Sequence, residues 1–191
     1  MFDSIHGRVL VREPARVVLE AAGLGYLLHV PLGTFDALPA VGGEARLLLH
    51  LVVREDEWRL YGFATGRERE AFRDLLRVSG VGPALALVLL SGLGHEALVD
   101  AVRSGDVRAL VRVKGVGKKT AERVVVELKE RWAAGAGEPV LPAPQGVAGD
   151  ALRALVALGL EPAEAARRLE ALGEVARNVP VADLVRRALR G

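Results

Sequence analysis

Apolar and polar positions run in short extended stretches over the first third of the chain, then change to a helical period. Residues 7–11, 16–21 and 25–30 are apolar-rich runs separated by Glu13-Pro14 and by Gly23-Leu24-Gly25, the pattern of short strands joined by turns. Pro31, Gly33, Pro39, Gly42 and Gly43 punctuate the next stretch, which reads as irregular. Two more runs, 45–53 and 58–63, are joined by Arg54-Glu55-Asp56-Glu57. Five short strands within residues 1–63 predict a small β-barrel, with the oligonucleotide-binding (OB) fold as the candidate. Residues 64–133 predict helices, and residues 148–191 a compact three-helix domain. In the latter, Asp150 is placed to N-cap a helix over 151–158, Gly159 to end it, and Pro162 and Pro180 to open two more. Between them, 134–147 is rich in Gly, Ala and Pro with one charge and reads as a flexible linker. The predicted class is therefore α+β and multidomain.

An internal repeat in the second segment changes this picture most. Arg77-Val78-Ser79-Gly80-Val81-Gly82 recurs as Arg112-Val113-Lys114-Gly115-Val116-Gly117. Arg73, Leu75 and Ala86 pair with Arg108, Leu110 and Ala121 at the same offset. Two copies are too few for a solenoid. Each copy reads instead as helix, glycine turn, helix, a helix-hairpin-helix motif.

Composition narrows the function classes. Net charge is only +2, but residues 1–63 carry −2, 64–133 carry +4 and 134–191 carry 0. All four lysines, Lys114, Lys118, Lys119 and Lys129, fall in the positive segment. With no cysteine, disulfides, thiolate–zinc sites and thiol chemistry are excluded. No apolar run approaches the roughly 20 residues needed to cross a bilayer, and the N-terminus does not read as a secretion signal. A cytoplasmic location is expected.

The glycine turns carry the chemistry. Glycine permits positive φ and removes the Cβ that would hold a ligand off the backbone. The helix that follows presents free N–H groups and its positive dipole end, an arrangement that binds phosphate. Gly80, Val81 and Gly82, with Gly115, Val116 and Gly117, are thus the candidate DNA contacts. Val81 and Val116 are expected to point inward and lock the helices, and Lys118 and Lys119 to add direct charge. Phosphate contacts position a protein without reading sequence, so weak sequence preference and steep salt dependence are expected. Gly115 to Thr120 superficially resembles a nucleotide-binding P-loop. However, Lys119 stands where that motif needs Ser or Thr, and a helix rather than a strand precedes it; ATP binding is not expected. His6, His29, His50 and His95 lack metal-ligand spacing, and neither Glu55-Asp56 nor Glu127-Leu-Lys129 makes a nuclease site. No catalytic residue, metal or cofactor is expected. A general single-strand-binding barrel is a rival reading, but it would want stacking aromatics, and this chain has eight, several of which, Tyr26 and Phe63 among them, are expected in the barrel core.

Taken together, Gly-Val-Gly-Pro at 80–83, Gly-Val-Gly-Lys-Lys-Thr-Ala-Glu-Arg at 115–123, Val-Val-Arg-Glu-Asp at 52–56, Gly-Tyr at 25–26 and Leu-Tyr-Gly-Phe at 60–63 resemble the bacterial RuvA family over essentially the whole chain. The resemblance implies an OB barrel, tandem helix-hairpin-helix motifs, a linker and a C-terminal three-helix, UBA-like domain. It implies a homotetramer on the four-way Holliday junction, with one or two tetramers per junction. It also implies recruitment of the hexameric ATPase RuvB for branch migration, association with the resolvase RuvC, and a place in recombination, DNA repair and the SOS response to DNA damage. It adds Thr120, Arg123 and Arg54 to the DNA-facing set. Read from the residues alone, Glu55-Asp56-Glu57 is a solvated hairpin tip; the resemblance makes Glu55 and Asp56 an acidic pin at the junction centre. It also makes the third domain the contact for RuvB, with Leu155, Leu158, Leu160 and Leu189 as candidates, although leucines at helical spacing equally suit a core. Two features depart from the family: Ala84 stands where many members carry lysine, and the linker is short.

Overall fold

The computed structural model describes residues 2–133, 147–172 and 179–190. The predicted linker, 134–147, lies outside the described residues except for Val147. The chain divides into two compact units, Met1–Glu138 and Pro139–Gly191.

The first unit opens with a closed five-stranded barrel in the order β1-β2-β3-β5-β4. Its strands are β1 (Ser4–Glu13), β2 (Arg16–Ala21), β3 (Leu24–His29), β4 (Glu44–Val53) and β5 (Trp58–Phe63). β1 pairs with both β2 and β4, and its register shifts between Val9 and Val11, a bulge that bends the strand as closure requires. The parallel β3–β5 pairing, Leu28 opposite Leu60, completes the ring. Val9, Val17, Leu19, Leu28, Leu47 and Leu49 fill the interior.

The punctuated stretch after β3 is not irregular throughout: α1 (Leu32–Ala37) lies there. Pro31 starts it, and Thr34 secures it. The buried Thr34 hydroxyl donates to Glu68 Oε2 at 2.9 Å and accepts from the Ala64 N–H at 2.9 Å. These partners lie some thirty residues away, so local sequence could not signal them.

Five helices follow: α2 (Gly66–Leu75), α3 (Pro83–Leu93), α4 (His95–Ser104), α5 (Val107–Val111) and α6 (Lys118–Ala133). Thr65 and Glu68 form a capping box at the start of α2. β5 joins barrel to helices. Phe72 of α2 packs on Tyr61 and Phe63 with ring centroids 4.9 and 5.0 Å apart. Phe63 therefore belongs to the helical core, not the barrel interior expected for it, whereas Tyr26 packs against the barrel core. At the far end of α6, the fully buried Trp132 donates its indole N–H to Asp74 of α2 at 2.9 Å.

The second unit holds α7 (Val147–Ala157), α8 (Pro162–Ala171) and α9 (Val181–Arg190) around Leu155, Leu169 and Leu184. α7 starts before the expected position, so Asp150 is not its N-cap; it sits in the first turn and pairs with Arg153. Gly159 has φ of 99° and the Leu160 N–H donates back to the Leu155 carbonyl at 3.1 Å, ending the helix as expected. Among the described residues, no single helix is long and apolar enough to cross a membrane.

Candidate nucleic-acid interface

The sequence repeat is a structural repeat. α2 and α3 flank the first glycine turn, and α5 and α6 the second. In the first turn the Val78 N–H donates to the Leu75 carbonyl (3.1 Å), Val81 N–H to Val78 (3.0 Å) and Ala86 N–H to Gly82 (3.0 Å). In the second, Val113 to Leu110, Val116 to Val113 and Ala121 to Gly117 reproduce these bonds at 3.1, 3.0 and 3.0 Å. The repeated apolar positions, Leu75/Leu110, Val78/Val113, Val81/Val116 and Ala86/Ala121, are all buried in one core. Val81 and Val116 thus lock the helices with their side chains, and their N–H groups are held by the Val78 and Val113 carbonyls, so the donors open to a ligand are those of the flanking glycines.

The four turn glycines are exposed but differ in what requires them. Gly80 and Gly115 have φ of 86° and 90°, which an L side chain adopts only with strain. Gly82 and Gly117 do not have positive φ, and a Cβ built on either would meet nothing within 4 Å. Neither the backbone nor the packing of this chain needs glycine at 82 or 117. What glycine provides there is close approach from outside, at the N-termini of α3 and α6. No side chain caps α3, so its first N–H groups are available to an acceptor.

Charge is distributed unevenly between the two turns. Lys114, Lys118 and Lys119 are exposed at the second, and Thr120 is half-buried. Lys118 lies 3.8 Å from Glu122, a weak solvated pair; Lys114 and Lys119 have no acidic partner among the described residues. A concavity beside this turn is lined by Arg108, Arg112 and Lys118. Arg123 of α6 reaches across to the first turn, where its Nη1 donates to the Ser79 carbonyl at 3.4 Å. It therefore adds a positive group between the turns.

The β4–β5 hairpin is closed by the Arg54 N–H donating to the Glu57 carbonyl at 2.9 Å. Arg54, Glu55 and Asp56 are exposed at its tip, and the two acids form no ion pair among the described residues. Two neighbours escaped the sequence reading. Trp58 is 72% exposed, directly opposite Val53. Arg59, held by Glu57 at 2.7 Å, lines a cavity of about 170 Å³ together with Arg54, Gly82, Pro83 and Ala84. The available signal was strand alternation, which puts Arg59 and Tyr61 on one face of β5. The nearby His29 is pushed below its usual pKa by burial first and then by Arg59 and Arg16. Among the described residues, no group of three or more His, Cys, Asp or Glu side chains is placed to hold a metal.

The four leucines of the second unit separate. Leu155 is fully buried, and Leu160 packs against the same core. Leu158 and Leu189 are 62% and 44% exposed. Leu155 is thus a core residue in this unit, and only the latter two present a substantial apolar surface.

An OB-type barrel rigidly joined to two backbone-lined, glycine-opened helix N-termini defines a nucleic-acid-binding protein of the tandem helix-hairpin-helix class. Family models agree: residues 1–62 match the RuvA N terminal domain, 72–130 the SAM-like helix-hairpin-helix tandem and 146–191 the RuvA C-terminal domain. Proteins named Holliday junction branch migration complex subunit RuvA align with the entire chain. That of Stutzerimonas stutzeri is 44% identical over 201 residues, covering 100% of this chain and 99% of its own length. That of Alkalilimnicola ehrlichii is 46% identical over 205 residues, covering 100% and 98%. The chain belongs to the RuvA family.

Proposed function

We propose that this protein is the DNA-binding, non-catalytic subunit of a branch migration complex, gripping four-way junctions through phosphate contacts at its two glycine turns. The observation that carries this reading is the pair of exposed glycines, Gly82 and Gly117, which the fold itself does not require. Both open a helix N-terminus, and the relatives named above are junction branch migration subunits. Gly80, Gly82, Gly115 and Gly117 offer backbone N–H groups around Val81 and Val116, whose own N–H groups are held by the Val78 and Val113 carbonyls, while Lys118, Lys119, Thr120, Arg123 and Arg54 supply charge and hydrogen bonds. Four chains surround one junction, with a second tetramer able to close the opposite face. The protein acts in the cytoplasm in recombination and in repair of DNA damage. It needs no cofactor of its own, since ATP is hydrolysed by the partner RuvB, and RuvC joins to resolve the junction.

In this reading Glu55 and Asp56 form an acidic pin. Their exposed, unpaired carboxylates repel any phosphate backbone running across the centre, which disfavours continuous duplex and keeps the exchanging strands apart. The variant Glu55→Gln/Asp56→Asn is expected to bind linear duplex about tenfold more tightly, since each removed repulsion is worth up to ~1 kcal/mol at a solvated site. Its junction affinity is expected to change little. Competition titration of the two DNAs measures this; unchanged duplex affinity would remove the pin from the account.

The three-helix unit recruits RuvB through the exposed Leu158 and Leu189, with the half-buried Leu160 still open to contribute, while Leu155 serves its core. Leu158→Asp/Leu189→Asp is expected to lower stimulation of the RuvB ATPase by at least about tenfold, the scale of a lost apolar anchor, with junction binding intact. Full stimulation by this variant would place the contact elsewhere.

A further inference from the structure

The two turns share a backbone but not a set of cations. In the second copy, Arg108, Arg112 and Lys119 are exposed and have no acidic partner among the described residues. Their counterparts in the first copy are Arg73, Arg77 and Ala84. Arg73 is held by Glu70 at 2.7 Å, Arg77 sits 3.7 Å from the buried Asp74, and Ala84 has no charge at all. The first motif therefore has no unpaired cation of its own, yet its glycine turn is as open as that of the second. Arg123 of α6 reaches this turn, where it donates to the Ser79 carbonyl, and the barrel brings further charge. The β4–β5 hairpin brings Arg54 and Arg59 to a cavity whose other wall is Gly82, Pro83 and Ala84.

We infer that Arg59 is a DNA-phosphate ligand of the first helix-hairpin-helix motif, the barrel supplying from β5 the charge that the second motif carries on Lys119. Glu57 binds the Nε edge of Arg59 at 2.7 Å and the Tyr61 hydroxyl is a second, lesser hydrogen-bond partner. A guanidinium has five N–H donors, so these contacts orient it and leave others for a phosphate oxygen. The cavity has two guanidiniums against one carboxylate, so it retains net positive charge. The ligand is a backbone phosphodiester, recognised without regard to base. The inference rests on the proposed junction-binding role, and it makes the first site a composite of two domains.

The test uses the full-length protein and fluorescence anisotropy with a labelled four-way junction over a series of salt concentrations. Arg59→Gln is expected to bind about tenfold more weakly at moderate salt, the loss of one charge-assisted contact. Its salt dependence is expected to be shallower by about one counterion per chain. Adding Ala84→Lys to that variant is expected to restore both, because it places a cation at the position equivalent to Lys119. Arg46→Gln, a charge loss elsewhere on the barrel, is expected to change neither, and melting temperatures show that each variant is folded. Wild-type affinity and slope in Arg59→Gln would overturn the inference while leaving the junction-binding role intact. Failure of Ala84→Lys to restore a folded Arg59→Gln protein would also overturn it. Absence of junction preference in the unsubstituted protein would instead overturn the role itself, and this inference with it.

Discussion

Replacing Gly82 and Gly117 together by alanine is expected to weaken junction binding at least about a hundredfold while moving the melting temperature by no more than about 3 °C. Alanine is a poorer N-cap than glycine by some tenths of a kcal/mol, but it also removes freedom from the unfolded chain, worth about 0.4–1 kcal/mol in the other direction. The two effects nearly cancel, because the added Cβ atoms meet nothing in the protein. They do meet the phosphate. Each methyl group holds the backbone away from its acceptor, and charge-assisted bonds worth about 1.5–3 kcal/mol apiece are lost or stretched. The neighbouring glycines provide the contrast. Gly80→Ala or Gly115→Ala forces a side chain onto φ near 90° and costs about 1–3 kcal/mol of stability, so these variants lose stability and binding together. Anisotropy and calorimetry on the same samples separate the two behaviours. A double variant at 82 and 117 that binds normally would show that no ligand approaches these turns.

The largest effect on stability is expected at the other end of α6. Trp132→Ala should cost the first unit about 3–5 kcal/mol, lowering its melting temperature by about 10–20 °C for a body of this size. Trp132 is fully buried, and its indole N–H donates to Oδ2 of the buried Asp74 carboxylate. Truncation leaves both a cavity and a buried acid that has lost a donor, while Arg131 at 2.8 Å offsets only part of that loss. This contact ties α6, whose first residues are Lys118 and Lys119, to α2 of the first motif. Trp132→Phe should recover much of the packing but not the hydrogen bond, and fall between. Scanning calorimetry of the full chain measures this, and a loss under about 1 kcal/mol would mean that the end of α6 is not anchored.

What the sequence revealed and what it hid follow from range. The repeat was legible because each motif is local: turn, helix start and buried valine lie within about ten residues. β2 and β5 were legible from runs bounded by turn residues, and the three-helix unit from Gly159 and Pro162. α1 was hidden because Pro31 and Gly33 look like loop punctuation, while Thr34 finds its partners at Glu68 and Ala64. Phe63 was placed in the barrel because strand alternation cannot say which core lies beyond the sheet. Leu155 and Leu158 are both apolar in the same helical run, and only the packed unit separates core from surface. Arg59 was hidden because nothing near it in the chain indicates Ala84, twenty-five residues away.

The most direct measurement is a gel-shift titration of the full-length protein against a four-way junction and a linear duplex of equal length, at moderate salt with magnesium. The account predicts much tighter binding to the junction, in one or two discrete complexes. Equal affinity for the two DNAs would contradict it, leaving the glycine turns as a general duplex grip.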